Sequence, residues 1–117
     1  MNTGEDGMTA NAAGRYATAL FQLAKTSKAV EAVEADLSAL CTMLDASPEL
    51  AEVMASPLHG ADVKEGVLGK LSTKAKFNSL TSNALGVAAV NGRAGEIGSL
   101  ASSFLAMAAA DRGVIAA

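Results

Sequence analysis

Residues 77–92 read Phe-Asn-Ser-Leu-Thr-Ser-Asn-Ala-Leu-Gly-Val-Ala-Ala-Val-Asn-Gly, with no charge anywhere. How this stretch folds decides the class of the whole chain. It ends in Asn91-Gly92, a pair that suits both tight hairpin turns and helix ends. A hairpin needs alternating apolar and polar flanks, and these flanks do not alternate. Their apolar residues recur at helical spacing instead. Phe77, Leu80, Ala84, Val87 and Ala88 make one stripe, and Leu85, Ala89 and Val90 make another. The stretch predicts a helix over 74–91, with Gly92 as the left-handed residue just past its cap.

The rest of the chain reads the same way. A helix over 11–26 carries the ladder Ala13, Tyr16, Leu20, Leu23, with Ala17, Phe21 and Ala24 beside it. A second, over 28–46, aligns Val30, Val33, Leu37, Leu40, Cys41 and Leu44 on one face. Ser47-Pro48-Glu49 is a helix start: a hydroxyl cap, Pro at the first position, an acid in the first turn. It opens a short third helix, which Ser56-Pro57 ends near Ala55. A fourth helix over 61–71 should turn Val63, Val67, Leu68 and Leu71 inward, weakened by Gly66 and Gly69. A sixth over 95–110 lines up Ile97, Leu100, Ala101, Phe104, Met107 and Ala108. The expectation is an all-α bundle of six helices, one of them short, over 11–111. Residues 1–10 read as a flexible tail, and 112–117 as a Gly-broken, β-branched segment leaving the bundle.

Composition agrees. The 117 residues suit one domain, and 26 of them are alanine. Aromatics make up 3% and Trp is absent, which favours closely packed helices over sheets. Charged residues are 18%, below the usual quarter, so part of the surface is expected to be covered. Net charge is −3 with no basic stripe, which argues against nucleic-acid binding. One Cys and one His cannot build a disulfide or a zinc site, and a lone thiol suits a reducing compartment. The start of the chain is acidic and Gly-rich, unlike a secretory signal or an Arg-rich transit peptide. No run of about 18 apolar residues occurs, so no membrane insertion is expected.

Catalytic content is poor. His59 reads as an exposed turn residue and Cys41 as a small core residue. The pairs Glu31/Glu34 and Glu49/Glu52 have no recognisable partner constellation, and no phosphate loop occurs. Neither an enzyme nor a cofactor is expected. The informative feature is the width of two apolar arcs. On the first helix, Tyr16, Ala19, Leu20 and Leu23 lie beside Ala13, Ala17, Phe21 and Ala24. Together they cover about 200°, where a surface helix needs about 100°. The fifth helix is apolar on two sides. Either both helices sit inside the bundle, or they leave a groove for an amphipathic partner helix.

Arg15-Tyr16-Ala17-Thr18-Ala19-Leu20-Phe21-Gln22-Leu23-Ala24 resembles the opening helix of the F-type ATP synthase δ subunit family, which includes the oligomycin-sensitivity-conferring protein. Leu50 to Pro57 is similar to the family's short third helix and its stop. Val87-Ala88-Ala89-Val90-Asn91-Gly92-Arg93 resembles the end of its fifth helix, and Phe104 through Val114 its sixth helix and Arg-Gly linker. The resemblance implies a non-catalytic stator component of the peripheral stalk, holding the F1 head against rotor torque. It implies that the N-terminal helix of an α subunit docks between the first and fifth helices. Tyr16, Ala19, Leu20 and Leu23 would form one wall, and Val87, Ala88 and Asn91 the other. Leu20 and Leu23 border the core as well. Gly92 and Arg93 are explained by capping and the helix dipole. Family members continue into a C-terminal domain that engages b-type stalk subunits; that domain is expected to be absent from this chain. The implied location is peripheral, on the cytoplasmic face of a bacterial inner membrane. A rival reading from the apolar arcs is a helical carrier enclosing a lipid or small apolar ligand.

Overall fold

The structure, a computed structural model, describes residues 12–113. The expected tail over 1–10 and residues 114–117 lie outside the described residues. Among the described residues six α-helices follow in order: α1 (Ala12–Thr26), α2 (Val30–Ala46), α3 (Pro48–Ala55), α4 (Ala61–Ala75), α5 (Ser79–Val90) and α6 (Ile97–Asp111). A short 3-10 turn, Ala94–Glu96, precedes α6, and no strand occurs among the described residues. The bundle is all-α, as expected.

Helix α6 is the hub. It packs against α1 and α2, while α5 packs against α4 and α1. The buried residues of α1 and α6 include Ala13, Ala17, Ala24, Ala101 and Ala108. Small side chains let two helix backbones approach closely, which is how an alanine-rich chain makes a dense core. Phe104 is fully buried at this junction and meets Phe21 edge-on, with ring centroids 5.5 Å apart at 76°. Leu37, Leu40, Leu100, Ile97, Leu85 and Met54 complete the core. Two exposed ion pairs, Lys25–Asp111 at 2.9 Å and Arg112–Glu34 at 2.7 Å, tie the end of α6 to α1 and α2.

Helix ends explain where the expected boundaries move. At α1 the Ala29 N–H donates to the Ala24 carbonyl and Lys28 N–H to the Lys25 carbonyl. Lys28 takes φ 56°, so it ends α1 instead of opening α2, which starts at Val30. The same motif recurs at Lys76, φ 59°, where the Phe77 N–H reaches back to the Ser72 carbonyl. Helix α4 therefore runs to Ala75, four residues beyond Leu71, and α5 starts at Ser79, not at 74. Gly92, φ 76°, closes α5 in the expected way, with Arg93 N–H donating to the Ala88 carbonyl at 2.7 Å. Ser47 caps α3 as read: its Oγ accepts the Leu50 N–H at 3.2 Å.

Left-handed backbone costs a lysine about 1–2 kcal/mol that glycine avoids. Glycine is more flexible when unfolded, which offsets part of that gain. Lys76→Gly is thus expected to stabilise the chain by about 0.5–1 kcal/mol. A rise in the urea midpoint with unchanged slope would show it; a fall would mean that the Lys76 side chain does more than tolerate its position.

Two side chains sit elsewhere than the periodicity places them. Val63 is 47% exposed rather than inward, because α4 packs on α5 and the 3-10 turn but leaves its first turn uncovered. Cys41 is half-buried at the margin of the core rather than inside it.

Candidate helix-docking groove

Helix α1 buries Ala13, Ala17, Leu20 and Ala24, which repeat at three- and four-residue spacing. The adjacent face carries Tyr16, Ala19 and Leu23. Tyr16 is half-buried, Ala19 is exposed and Leu23 is 55% exposed. Helix α5 buries Thr81, Leu85, Ala88 and Ala89. Its next face carries Leu80, Asn83, Ala84 and Val87, and Val87 is 51% exposed. The expected stripes of α5 are therefore rotated: Leu85, Ala88 and Ala89 point to the core together, and Val87 and Val90 point out.

The two half-exposed faces meet. Tyr16, Ala19, Leu20 and Leu23 of α1 line an open groove of about 220 Å³ with Leu80, Asn83, Ala84 and Val87 of α5. At one end the Asn91 side-chain amide donates to the Tyr16 hydroxyl oxygen at 3.1 Å, bridging the two helices. That contact joins the first half of α1 to the end of α5.

Of the residues singled out in the sequence, Tyr16, Ala19, Leu20, Leu23 and Val87 line the groove, and Asn91 ties its rim. Leu20 is only 2% exposed and forms the floor. Ala88 does not line it, being buried in the core. Leu80, Asn83 and Ala84 complete the α5 wall. Leu80 and Ala84 were visible as one apolar stripe; Asn83 is polar and carries no such signal. A second groove, of about 440 Å³, lies between α4 and α5, where Glu65 and Gly69 face Gly86 and Val90. Asn83 and Val87 border both, and Asn91 lines this second groove while bonding Tyr16 of the first.

Residues 12–117 match the family described as "ATP synthase delta (OSCP) subunit". The chain belongs to that family. It is 66% identical over 110 residues to the ATP synthase subunit delta of Maricaulis maris, covering 94% of this chain and 62% of that one. Against the subunit delta of Phenylobacterium zucineum it is 43% identical over 100 residues, covering 86% of this chain and 54% of the other. The Rhodospirillum rubrum subunit delta is 40% identical over 117 residues, all of this chain and 62% of that one. The chain thus spans roughly three fifths of the curated relatives it matches. No solved structure matches it.

The residues of the δ-family bundle that sequence reading weighed for chemistry lie apart from the groove. His59 is exposed in the turn between α3 and α4. No cluster of three or more potential metal ligands occurs among the described residues. The Cys41 thiol is pushed above its ordinary range, first by burial and second by the nearby Asp45 carboxylate. Less of it is thiolate near neutral pH, so its alkylation by iodoacetamide is expected to be several-fold slower than that of a free thiol. A rate equal to the free thiol's would contradict this environment.

Proposed function

We propose that the α1/α5 groove takes the amphipathic N-terminal helix of an ATP synthase α subunit. The chain is then a non-catalytic stator component, part of the peripheral stalk that links the F1 head to the membrane sector and supports proton-driven ATP synthesis. One observation carries the reading. Leu23 and Val87 face the same groove from opposite walls and leave more than half of their surface in water. Five large apolar side chains are exposed among the described residues, and Leu23, Val87 and Val90 of these belong to α1 and α5. An apolar helix face laid into the groove would remove Leu23 and Val87 from water, with the Tyr16–Asn91 pair marking a polar end.

Small side chains support a helix as the guest. Ala19 and Ala84 keep the walls low, so a guest backbone can approach closely. Torque resistance asks for slow dissociation, which a few buried apolar anchors supply. The carrier reading lacks such support: small-ligand pockets usually measure about 300–1,000 Å³ and enclose their ligand. This groove is open, about 220 Å³ in volume, with no charged side chain lining it.

The family resemblance assigns engagement of b-type stalk subunits to a C-terminal domain, beyond the described residues. On this reading the assembled subunit sits peripherally on the cytoplasmic face of a bacterial inner membrane. No described helix is long and apolar enough to cross a membrane.

Calorimetric titration with a synthetic peptide of the α-subunit N-terminal helix tests the reading. Saturable 1:1 binding with a negative heat-capacity change is expected, the mark of apolar burial. Absence of binding at the highest soluble peptide concentration would overturn it.

A further inference from the structure

Helix α5 has a polar pin at its other end too. Asp36, on α2, lies 45 residues before Thr81 in the chain, yet its Oδ2 accepts the Thr81 hydroxyl at 2.8 Å. The same oxygen accepts the Asn78 N–H at 2.7 Å. Asn78 in turn caps α5 through its own Oδ1, which accepts the Leu80 N–H at 2.8 Å. A carboxylate is therefore seated on the first turn of α5, where unpaired N–H groups and the helix dipole favour negative charge.

Three features set this contact apart from an ordinary surface bond. Thr81 is 0% exposed, so without Asp36 its hydroxyl has no water to turn to. Asp36 comes from a helix that contributes nothing to the groove lining. The contact also sits at the Leu80 end of the groove, opposite the Asn91–Tyr16 bond. Helix α5 is thus pinned at its start to α2 and at its end to α1, and the groove lies beside the span between the pins.

We propose that Asp36 is a positioning residue for partner docking: it sets the axial register and tilt of α5 and so preforms the Leu80–Ala84 part of the groove wall. This rests on the groove being the docking site. A wall held in place before the guest arrives spares the cost of ordering it on binding, so loss of the pin should appear as loss of affinity. A merely structural carboxylate would affect stability alone.

Four variants of the chain separate the two. Asp36→Ala removes the acceptor. Asp36→Asn keeps an acceptor of the same shape. Thr81→Val removes only the hydroxyl while conserving volume. Met54→Ala opens the core beneath α3, away from the groove, and serves as a destabilised control. Affinity for the α-subunit N-terminal peptide is measured at a temperature where circular dichroism shows each variant folded. Asp36→Ala is expected to lose tenfold or more, Thr81→Val about threefold, and Asp36→Asn and Met54→Ala less than twofold. Methyl NMR without peptide gives a second reading: the Leu80 methyls should shift in Asp36→Ala and Thr81→Val, and the Ile97 methyls should not.

If Asp36→Ala binds as Met54→Ala does, with Leu80 unmoved, the proposal is overturned. Should Asp36→Ala not fold, Thr81→Val decides by the same two readings. If the unmodified chain binds no peptide, the groove reading fails by itself, and the Leu80 shifts then report whether Asp36 positions α5.

Discussion

Val87→Asp is expected to abolish binding of the α-subunit N-terminal helix while leaving the helical signal of the chain intact. Val87 stands in the α5 wall and is 51% exposed, so a carboxylate there can stay hydrated in the free chain. A docked apolar helix would strip that hydration without offering a partner. Burying an unpaired polar or charged group costs several kcal/mol, and a loss of about 2.7 kcal/mol is already a hundredfold in affinity. The lost apolar contact adds roughly 1 kcal/mol, about half of what full burial of a valine is worth. A hundredfold or larger loss by calorimetry, with unchanged circular dichroism, is the expected pair of results. Tyr16→Asp should behave similarly from the facing wall, with an added loss of the Asn91 bond. Unchanged affinity in both variants would remove the groove from the account.

The second large effect is on folding. Phe104→Ala should destabilise the chain by about 3–5 kcal/mol, the usual range for emptying a buried aromatic site. Phe104 is 0% exposed on α6, the helix that α1 and α2 share, and it is braced by the edge of Phe21. Five alanines of α1 and α6 are buried in the same core, and their short side chains have little reach to fill the space. Domains of this size are stable by only about 5–15 kcal/mol, so the variant should sit near the edge of folding. Urea denaturation would show the midpoint falling sharply. A loss under 1 kcal/mol would mean that the α1–α6 junction closes over the gap, and that the core is less tightly specified than its burial indicates.

Residues 77–92 show how much of this was legible in the sequence, and what was not. That they form a helix followed from their spacing, and Gly92 ending it followed from the need for positive φ. Which side of the helix faces the core did not follow. Apolar and small residues lie on nearly every side of α5, so periodicity sets no phase. The buried side includes Thr81, a polar residue whose hydroxyl is taken up by Asp36. That partner belongs to another helix and leaves no local trace.

The boundaries of α1, α2 and α4 were obscured for a related reason. Lys28 and Lys76 hold the left-handed position at two helix ends, where a reader expects Gly or Asn. Tertiary packing of Ala29 and Phe77 against the core holds these turns where the lysines alone would not. By contrast Ser47-Pro48 signals its own cap, and the structure keeps it. The groove lay between these extremes. The over-wide arcs of α1 and α5 were visible, and they left burial and docking as alternatives. Exposure of Leu23 and Val87, against burial of Leu20 and Ala88, separates walls (Leu23, Val87), floor (Leu20) and core (Ala88).

The central claim is that a partner helix lies between α1 and α5. Chemical-shift mapping of the isotopically labelled chain, titrated with the α-subunit N-terminal peptide, addresses it most directly. The account predicts that perturbed signals cluster at Tyr16, Ala19 and Leu23 on α1 and at Leu80, Asn83 and Val87 on α5, with α2 and α3 quiet. Perturbations centred on α2, α3 or the outer face of α6 would contradict it.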